Sequence, residues 1–152
     1  MSEKSEKAKE LFKSGYNCSQ AVFGVFCEEL GIDFKTAMKL ASPFGGGMGR
    51  MREVCGTVSG MFMAAGLMFG STDSSSKAEL YKKIQDLASR FKENNRSIIC
   101  KELLAGIENS TSPIPSERTN DYYKKRPCIE LVGDAVEIFE NYIKETQPIL
   151  AE

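Results

Sequence analysis

An all-α fold is predicted for this chain of 152 residues. Apolar residues recur at helical spacing through most of the chain, and no segment shows the apolar–polar alternation of a half-buried β-strand. One long uncharged stretch is rich in glycine and alanine. No internal repeat or domain-scale linker interrupts the pattern, so residues 1–152 are predicted to form one domain. We expect a bundle of six or seven helices around a buried central helix.

Three helices are predicted before a glycine-rich loop. Their predicted ranges are 3–14, 18–30 and 33–41. Asn17 is followed three residues later by Gln20, which is the pattern of a capping box and puts Cys18 at the first position of the second helix. Asp33 is expected to cap the third helix.

The glycine-rich loop, residues 44–50, leads into the uncharged stretch 54–70. The length of this stretch predicts a buried helix, and it is shorter than the about 20 apolar residues of a membrane-spanning helix. We therefore expect a core helix and no membrane insertion. Gly56, Gly60 and Ala64 recur every four residues and form a ridge on which another helix can pack closely. The same ridge is compatible with a homodimer interface.

The second half of the chain is predicted to contain three helices and one long loop. The predicted helices cover residues 76–94, 97–106 and 127–145. Ser97 is expected to be an N-cap, which places Cys100 at the third helical position. Pro127 is favoured at the first position of the last helix, which places Cys128 in its first turn. Residues 107–121 are rich in serine and proline and are predicted to be a surface loop.

The composition excludes several classes of function. A hydrophobic fraction of 41%, a charged fraction of 27% and a net charge of −1 are typical of a soluble globular domain and argue against nucleic-acid binding. The charged start of the chain lacks the apolar core of a signal peptide, so a cytoplasmic location is expected, where structural disulfides are rare. The chain has no histidine, which excludes Cys–His nucleophile pairs, histidine-ligated zinc and covalently attached haem.

Four cysteines are predicted to lie at the starts of four different helices. They are Cys18, Cys55, Cys100 and Cys128. Helix starts that point the same way could bring four thiols to one end of the bundle, where helix dipoles favour thiolates. This arrangement would suit a reactive dithiol, or a thiolate-ligated metal or iron–sulfur site. The alternative is that the cysteines are merely buried and share no site. Cys27 is predicted to be a buried apolar residue inside the second helix.

The glycine-rich loop admits more than one interpretation. Its amides could hold a phosphate with the help of Arg50 or Arg52, but the loop matches neither G-x-G-x-x-G nor Walker A and follows a helix, so nucleotide binding is not favoured. It could also be only a tight turn before the core helix. We favour a third interpretation, in which the loop brings backbone amides to the Cys55 sulfur. The candidate cofactor-binding residues are then Gly45, Gly46, Gly47, Gly49 and Gly56.

Each of the four cysteines lies in a short characteristic segment. The segments are Gly-Tyr-Asn-Cys18-Ser-Gln-Ala, Gly-Gly-Gly-Met-Gly-Arg followed by Glu-Val-Cys55-Gly-Thr-Val-Ser-Gly60, Cys100 before Lys-Glu-Leu-Leu, and Arg-Pro-Cys128. Together they resemble the C_GCAxxG_C_C family of putative redox-active proteins, small bacterial and archaeal proteins defined by four cysteines and a Cys-Gly-Ala-x-x-Gly motif. The chain departs from the family pattern at Thr57, where the family has alanine.

The resemblance implies a redox role. The family is similar to a domain of split-Soret cytochromes, in which an iron–sulfur centre accompanies haem. The absence of histidine means that the haem does not carry over, whereas a cysteine-ligated cluster could. The resemblance therefore favours an iron–sulfur cluster over zinc.

Two classes of function are consistent with these observations. The favoured class is a redox protein that binds a cluster or metal, or that cycles between dithiol and disulfide with Cys55 as nucleophile and Cys18 or Cys128 as resolving residue. No complete catalytic motif is present, so the protein would carry electrons or thiols to an unidentified redox partner protein. The alternative is a non-catalytic helical module that binds metal or docks a partner, with residues 107–121 and 124–126 as the partner surface.

Overall fold

The computed structural model describes residues 1–107 and 109–147, which form helices joined by turns and loops. The helices are α1 (Glu3–Lys13), α2 (Cys18–Gly24), α3 (Phe34–Ala41), α4 (Gly56–Phe69), α5 (Lys77–Asn95), α6 (Cys100–Leu103), α7 (Asn120–Lys125) and α8 (Cys128–Thr146). The described residues contain no β-strand beyond a single antiparallel bridge between Val54 and Ile99. The predicted all-α fold is therefore confirmed.

The number of helices exceeds the expected six or seven because of α7. This helix begins inside the segment 107–121 that we predicted to be loop. The Thr119 hydroxyl accepts a hydrogen bond from the Tyr122 amide and caps it, so a threonine cap decides where the loop ends.

Helix α2 is shorter than predicted. We expected it to continue to Leu30, but it ends at Gly24, and the chain then continues in tight turns. The amides of Phe26 and Cys27 both donate to the Phe23 carbonyl at 3.1 Å. This tightening turns both side chains into the core, and Cys27 is fully buried there as predicted. Glycine weakens the helix at the point where the change occurs.

Two helix starts also differ from the predictions. Cys100 is the first residue of α6 and not the third, and the residue before the helix is Ile99. Ser97 is not the cap, since its hydroxyl accepts a hydrogen bond from the Ile99 amide and donates one to the Glu102 carboxylate. Pro127 precedes α8, so Cys128 is its first residue. The capping box of Asn17 and the cap by Asp33 form as predicted.

Helix α4 is the buried central helix that the uncharged stretch predicted. It packs against α2, α5 and α8, while α1 packs against α8. Its buried residues are Gly56, Thr57, Val58, Gly60, Met61, Ala64 and Ala65. No helix in the part of the chain that the structure describes is long and apolar enough to cross a membrane. The homodimer interface stays a prediction.

Gly60 allows the backbones of α2 and α4 to approach closely. A Cβ atom at this position would lie 2.7 Å from the Ser19 carbonyl oxygen and 3.1 Å from Val22 Cβ. Gly66, in the same helix, has nothing within 4 Å of its would-be Cβ. The two glycines thus differ in packing although both lie in a helix.

We predict that Gly60→Ala and Gly66→Ala have opposite effects on stability. Gly66→Ala should raise the free energy of unfolding by about 0.5–1 kcal/mol, because alanine favours the helix. Gly60→Ala gains the same helix propensity but forces α2 away, so the two variants should differ by about 1–3 kcal/mol in urea unfolding. Equal stabilities would show that the close approach of α2 and α4 carries no packing constraint.

Candidate functional site

The four helix-start cysteines line one cavity. Cys18, Cys100 and Cys128 are the first residues of α2, α6 and α8, and Cys55 immediately precedes α4. All four border an interior space of about 70 Å³, which is room for a few water molecules or a small inorganic group. The structure thus brings together the four thiols expected to converge, and Cys27 does not line this cavity. Their catalytic or ligand roles stay predictions.

A glycine brings Cys18 next to Cys55. A Cβ atom at Gly56 would overlap the Cys18 sulfur and would lie 2.8 Å from the Phe44 carbonyl oxygen. Only glycine fits between the start of α2 and the start of α4 without displacing one of them. The capping box at Asn17 holds the first turn of α2 in this position.

Backbone hydrogen bonds bring Cys100 to the same place. The Cys55 amide donates to the Ile98 carbonyl at 2.7 Å, and the Cys100 amide donates to the Glu53 carbonyl at 2.6 Å. The start of α6 is therefore tied to the strand-like residues that precede α4. Gly47 lies against this junction, with φ of +70° and no room for a Cβ, which would fall 2.6 Å from Cys100 Cβ.

Hydrogen-bond donors reach three of the sulfurs. Hydrogen bonding from the backbone amides of Gly46 and Ser19 lowers the pKa of the Cys18 thiol against the larger effect of burial. The Thr57 hydroxyl and the Cys55 thiol share a hydrogen bond of 3.1 Å, so the residue that departs from the family pattern contacts the site directly. Arg52 Nη1 lies 3.7 Å from Cys100 Sγ as a hydrogen-bond donor.

The glycine loop approaches a different thiol from the one we expected. We predicted that its amides would reach Cys55, but the Gly46 amide reaches Cys18. Of the predicted cofactor-binding glycines, Gly46, Gly47 and Gly56 line the thiol cavity. Gly45 and Gly49 border a second, outer cavity instead.

Burial raises the pKa of three of these thiols, those of Cys18, Cys55 and Cys128. It raises the pKa of Cys55 far above its ordinary value, and a negative charge at the nearby Cys18 raises it further. Burial likewise raises the pKa of Cys18. It raises the pKa of Cys128 to about 12, although the charge of Arg126 acts in the opposite direction. The expectation that helix dipoles at the helix starts favour thiolates is therefore wrong for Cys55, because the loss of hydration outweighs the dipole.

Three arginines share the cavity with the four cysteines. They are Arg52, Arg118 and Arg126. The sequence drew attention to Arg52 through the glycine loop and to Arg126 as part of a surface run, but Arg118 was missed. The only signal for it was that it is the single basic residue between positions 107 and 121. Its guanidinium lies 4.2 Å from the centre of the Phe12 ring.

The thiols are not arranged around one point. Within residues 1–107 and 109–147, no group of three or more Cys, Asp or Glu side chains is positioned to hold a metal ion. All five cysteines are free thiols. Cys55 and Cys100 are buried, whereas Cys18 and Cys128 are partly exposed.

The raised pKa of Cys128 predicts a pH dependence of stability. The unfolded chain has the ordinary cysteine pKa of 9.0, and the folded protein has a value of about 12. Above pH 9 the unfolded state has lost a proton that the folded state retains. The contribution of Cys128 to the free energy of unfolding is therefore fully present below pH 9.0 and is lost as the pH rises toward about 12.

We therefore predict that the reduced, metal-free protein loses stability faster than Cys128→Ser as the pH rises from about 9 to about 11, by at most about 1.4 kcal/mol per pH unit. Urea unfolding of both proteins measures this, with their difference at pH 7 as the baseline. A difference that does not change with pH would contradict the raised pKa.

Comparison with known proteins agrees with the geometry. A family model described as "Putative redox-active protein (C_GCAxxG_C_C)" matches residues 16–142, a range that includes all four cysteines of the cavity. No curated protein and no solved structure matches the chain. Because the family match spans most of the chain, this protein belongs to the C_GCAxxG_C_C family of putative redox-active proteins.

Proposed function

We propose that the four cysteines act as one redox centre and that they ligate an iron–sulfur cluster. The observation that carries the proposal is that four cysteines at the starts of four different helices line one small cavity: Cys18, Cys55, Cys100 and Cys128. Four cysteine thiolates are the common ligand set of iron–sulfur clusters, and such a cluster, when bound, supplies one-electron transfer. The protein would then be an electron carrier for a partner protein.

The protonation of the thiols supports ligation over nucleophilic attack. Nucleophilic chemistry requires a thiolate, and burial opposes the thiolate form at Cys18, Cys55 and Cys128. Binding of a metal displaces the proton from a thiol and so overcomes this opposition. Buried, protonated thiols are therefore poor nucleophiles but suitable ligands.

The surroundings of the thiols suit a negatively charged centre. Four thiolates carry more negative charge than an iron–sulfide core neutralises, and Arg52, Arg118 and Arg126 line the same cavity. Hydrogen bonds to ligand sulfurs are one of the means by which proteins set a cluster's potential. The amides of Gly46 and Ser19 and the hydroxyl of Thr57 occupy this role here.

A cluster is favoured over a single zinc ion. Structural zinc takes four protein ligands around one atom, and the described residues contain no three acidic or cysteine side chains positioned around a single ion. A cluster distributes its four cysteines over several iron atoms, so no one iron needs three of them. Four thiols that line one cavity without surrounding a single point are compatible with that distribution.

A second candidate is thiol–disulfide exchange, and the partial exposure of Cys18 and Cys128 favours it. In this case Cys128 attacks a disulfide of the partner, a partner thiol leaves, and Cys18 then attacks the mixed disulfide and releases the second partner thiol. The chain loses two electrons and the partner disulfide gains them, while the protons of Cys18 and Cys128 pass to the leaving sulfurs. Arg118 and Arg126 assist by lowering the pKa of Cys128 against burial. The nucleophile would thus be Cys128 and not the buried Cys55.

Anaerobic purification, followed by reconstitution with ferrous iron and sulfide, tests the cluster. We expect stoichiometric iron and acid-labile sulfide, with visible charge-transfer absorption that bleaches on reduction. Serine variants of the four cavity cysteines should each lower the iron content at least severalfold. Cys27→Ser is the matched control and should keep the cluster, because Cys27 is buried outside the cavity.

Three results would overturn the cluster. An iron-free protein that forms a disulfide between Cys18 and Cys128 under mild oxidation, located by mass spectrometry, would establish the exchange mechanism. A colourless protein that holds one zinc ion and shows no redox change would instead support a non-catalytic metal-binding module. Loss of iron in Cys27→Ser equal to that in the four cavity variants would mean that the iron is bound non-specifically.

A further inference from the structure

A second cavity adjoins the thiol cavity on its outer side. It measures about 270 Å³ and lies between the glycine loop and residues 113–118. Four arginines line it: Arg50, Arg52, Arg118 and Arg126. None of the described residues that line it is an aspartate or a glutamate. The outer cavity is therefore a concave surface that is lined by four arginines and by no described carboxylate, and it shares three of these arginines with the thiol cavity.

Arg52 is buried without a counter-charge. The residue is only 4% exposed, and its Nη2 atom is buried without a hydrogen-bond partner. Its remaining contacts are the Ser110 carbonyl, which accepts from Nε at 3.0 Å, and the Cys100 thiol. Within the described residues it forms no salt bridge. Burying a cation that has no salt bridge is costly, and an anion bound in the adjoining outer cavity would lower that cost through its charge.

Arg118 is held in place in a similar way. Its Nη1 and Nη2 atoms donate to the carbonyls of Phe12 and Tyr16, at 2.6 and 3.0 Å, and its guanidinium stacks on the Phe12 ring. Within the described residues it also has no carboxylate partner. By contrast, Arg90 on α5 is paired with both Asp86 and Glu145, outside this region. Neutral carbonyl acceptors therefore fix the orientation of Arg118, and they do not neutralise the positive charge with which it could attract an anion.

We propose that the outer cavity binds a phosphate group, either free phosphate or the phosphate of a small molecule, beside the thiol centre. Guanidinium groups match the oxygens of an oxyanion through paired hydrogen bonds, and several converging arginines favour an anion with more than one charge and several acceptor oxygens. The outer cavity, at about 270 Å³, has room for a phosphate with a short substituent.

The proposed site differs from the loop-and-helix phosphate site that the sequence disfavoured. The Cys18 sulfur lies against Gly56 at the start of α4, and Cys55 immediately precedes that helix, so thiols and not a phosphate lie closest to its first residues. Arginine side chains, not loop amides, supply the donors. The inference does not rest on the proposed function, since anion binding can be measured whether or not the cysteines hold a cluster.

Isothermal titration calorimetry of the purified wild-type protein with inorganic phosphate and with glycerol 3-phosphate tests the inference, at an ionic strength held constant with chloride. We expect saturable binding of at least one of the two. Tighter binding of glycerol 3-phosphate would identify a phosphate ester as the ligand class, and tighter binding of inorganic phosphate would identify the free ion.

Arg52→Gln should weaken the binding by about tenfold to hundredfold, because it removes a charged donor but keeps a polar side chain. Arg96→Gln is the matched control: it changes the net charge equally, lies outside the outer cavity and should bind as the wild type does. Circular dichroism establishes that both variants are folded. Equal affinity of wild type and folded Arg52→Gln would overturn the proposal.

A measurement on the wild type alone covers the case in which Arg52→Gln does not fold. On addition of phosphate, the amide resonances of Gly46 and Gly49, which border the outer cavity, should shift in a saturable manner. The amide of Gly70, at the far end of α4, should not shift. The absence of saturable binding of either probe, or equal shifts at all three glycines, would contradict the site.

Discussion

The close contact between Gly56 and the Cys18 sulfur is the constraint on which the rest of the site depends. It places the first residue of α2 against the first residue of α4, so two thiols from distant parts of the sequence become neighbours. Gly60, one turn further along α4, keeps the two helices close. Because protein interiors are close-packed, a side chain at either glycine would have to displace a helix and not just a neighbouring side chain.

The glycine-rich loop connects this contact to the other parts of the site. Residues 46–50 all have positive φ, and this run includes Met48 and Arg50, which lack the freedom of glycine. Such a backbone costs of order 1–3 kcal/mol at each non-glycine residue and persists only where its surroundings determine it. Those surroundings are the Cys18 sulfur, the Cys100 side chain, and the carbonyls of residues 110 and 112, which accept hydrogen bonds from Arg52 and Arg50.

The site concentrates groups whose burial opposes folding. Guanidinium groups lie beside the four thiols, and that of Arg52 has a buried nitrogen without a hydrogen-bond partner, which costs free energy. The packed core around α4 must offset this cost in the free protein. A ligand that supplies negative charge, whether through the sulfurs or at the outer cavity, would bind the native state selectively and would therefore stabilise it. The buried positive charge beside the thiols thus supports both the proposed cluster and the proposed phosphate site.

Much of the fold could be predicted from the sequence because it depends on local patterns. The capping box at Asn17, the cap at Asp33 and the uncharged stretch before Gly70 each specify a helix through residues that are neighbours in the chain. The errors arose where distant contacts decide: α2 stops at Gly24 so that Cys27 can enter the core, and α6 begins at Cys100 because its amide bonds to Glu53.

The sequence by itself determined which chemistry this protein can have: four cysteines at helix starts, no histidine, and glycines where the backbone must pass close to a sulfur. Only the tertiary structure decided that the loop amide reaches Cys18 and not Cys55, and that Arg118 joins the site. It also decided the acidity of the thiols. A helix dipole is a local property that sequence position predicts, whereas loss of hydration depends on every element packed around the sulfur, and here hydration is the larger effect.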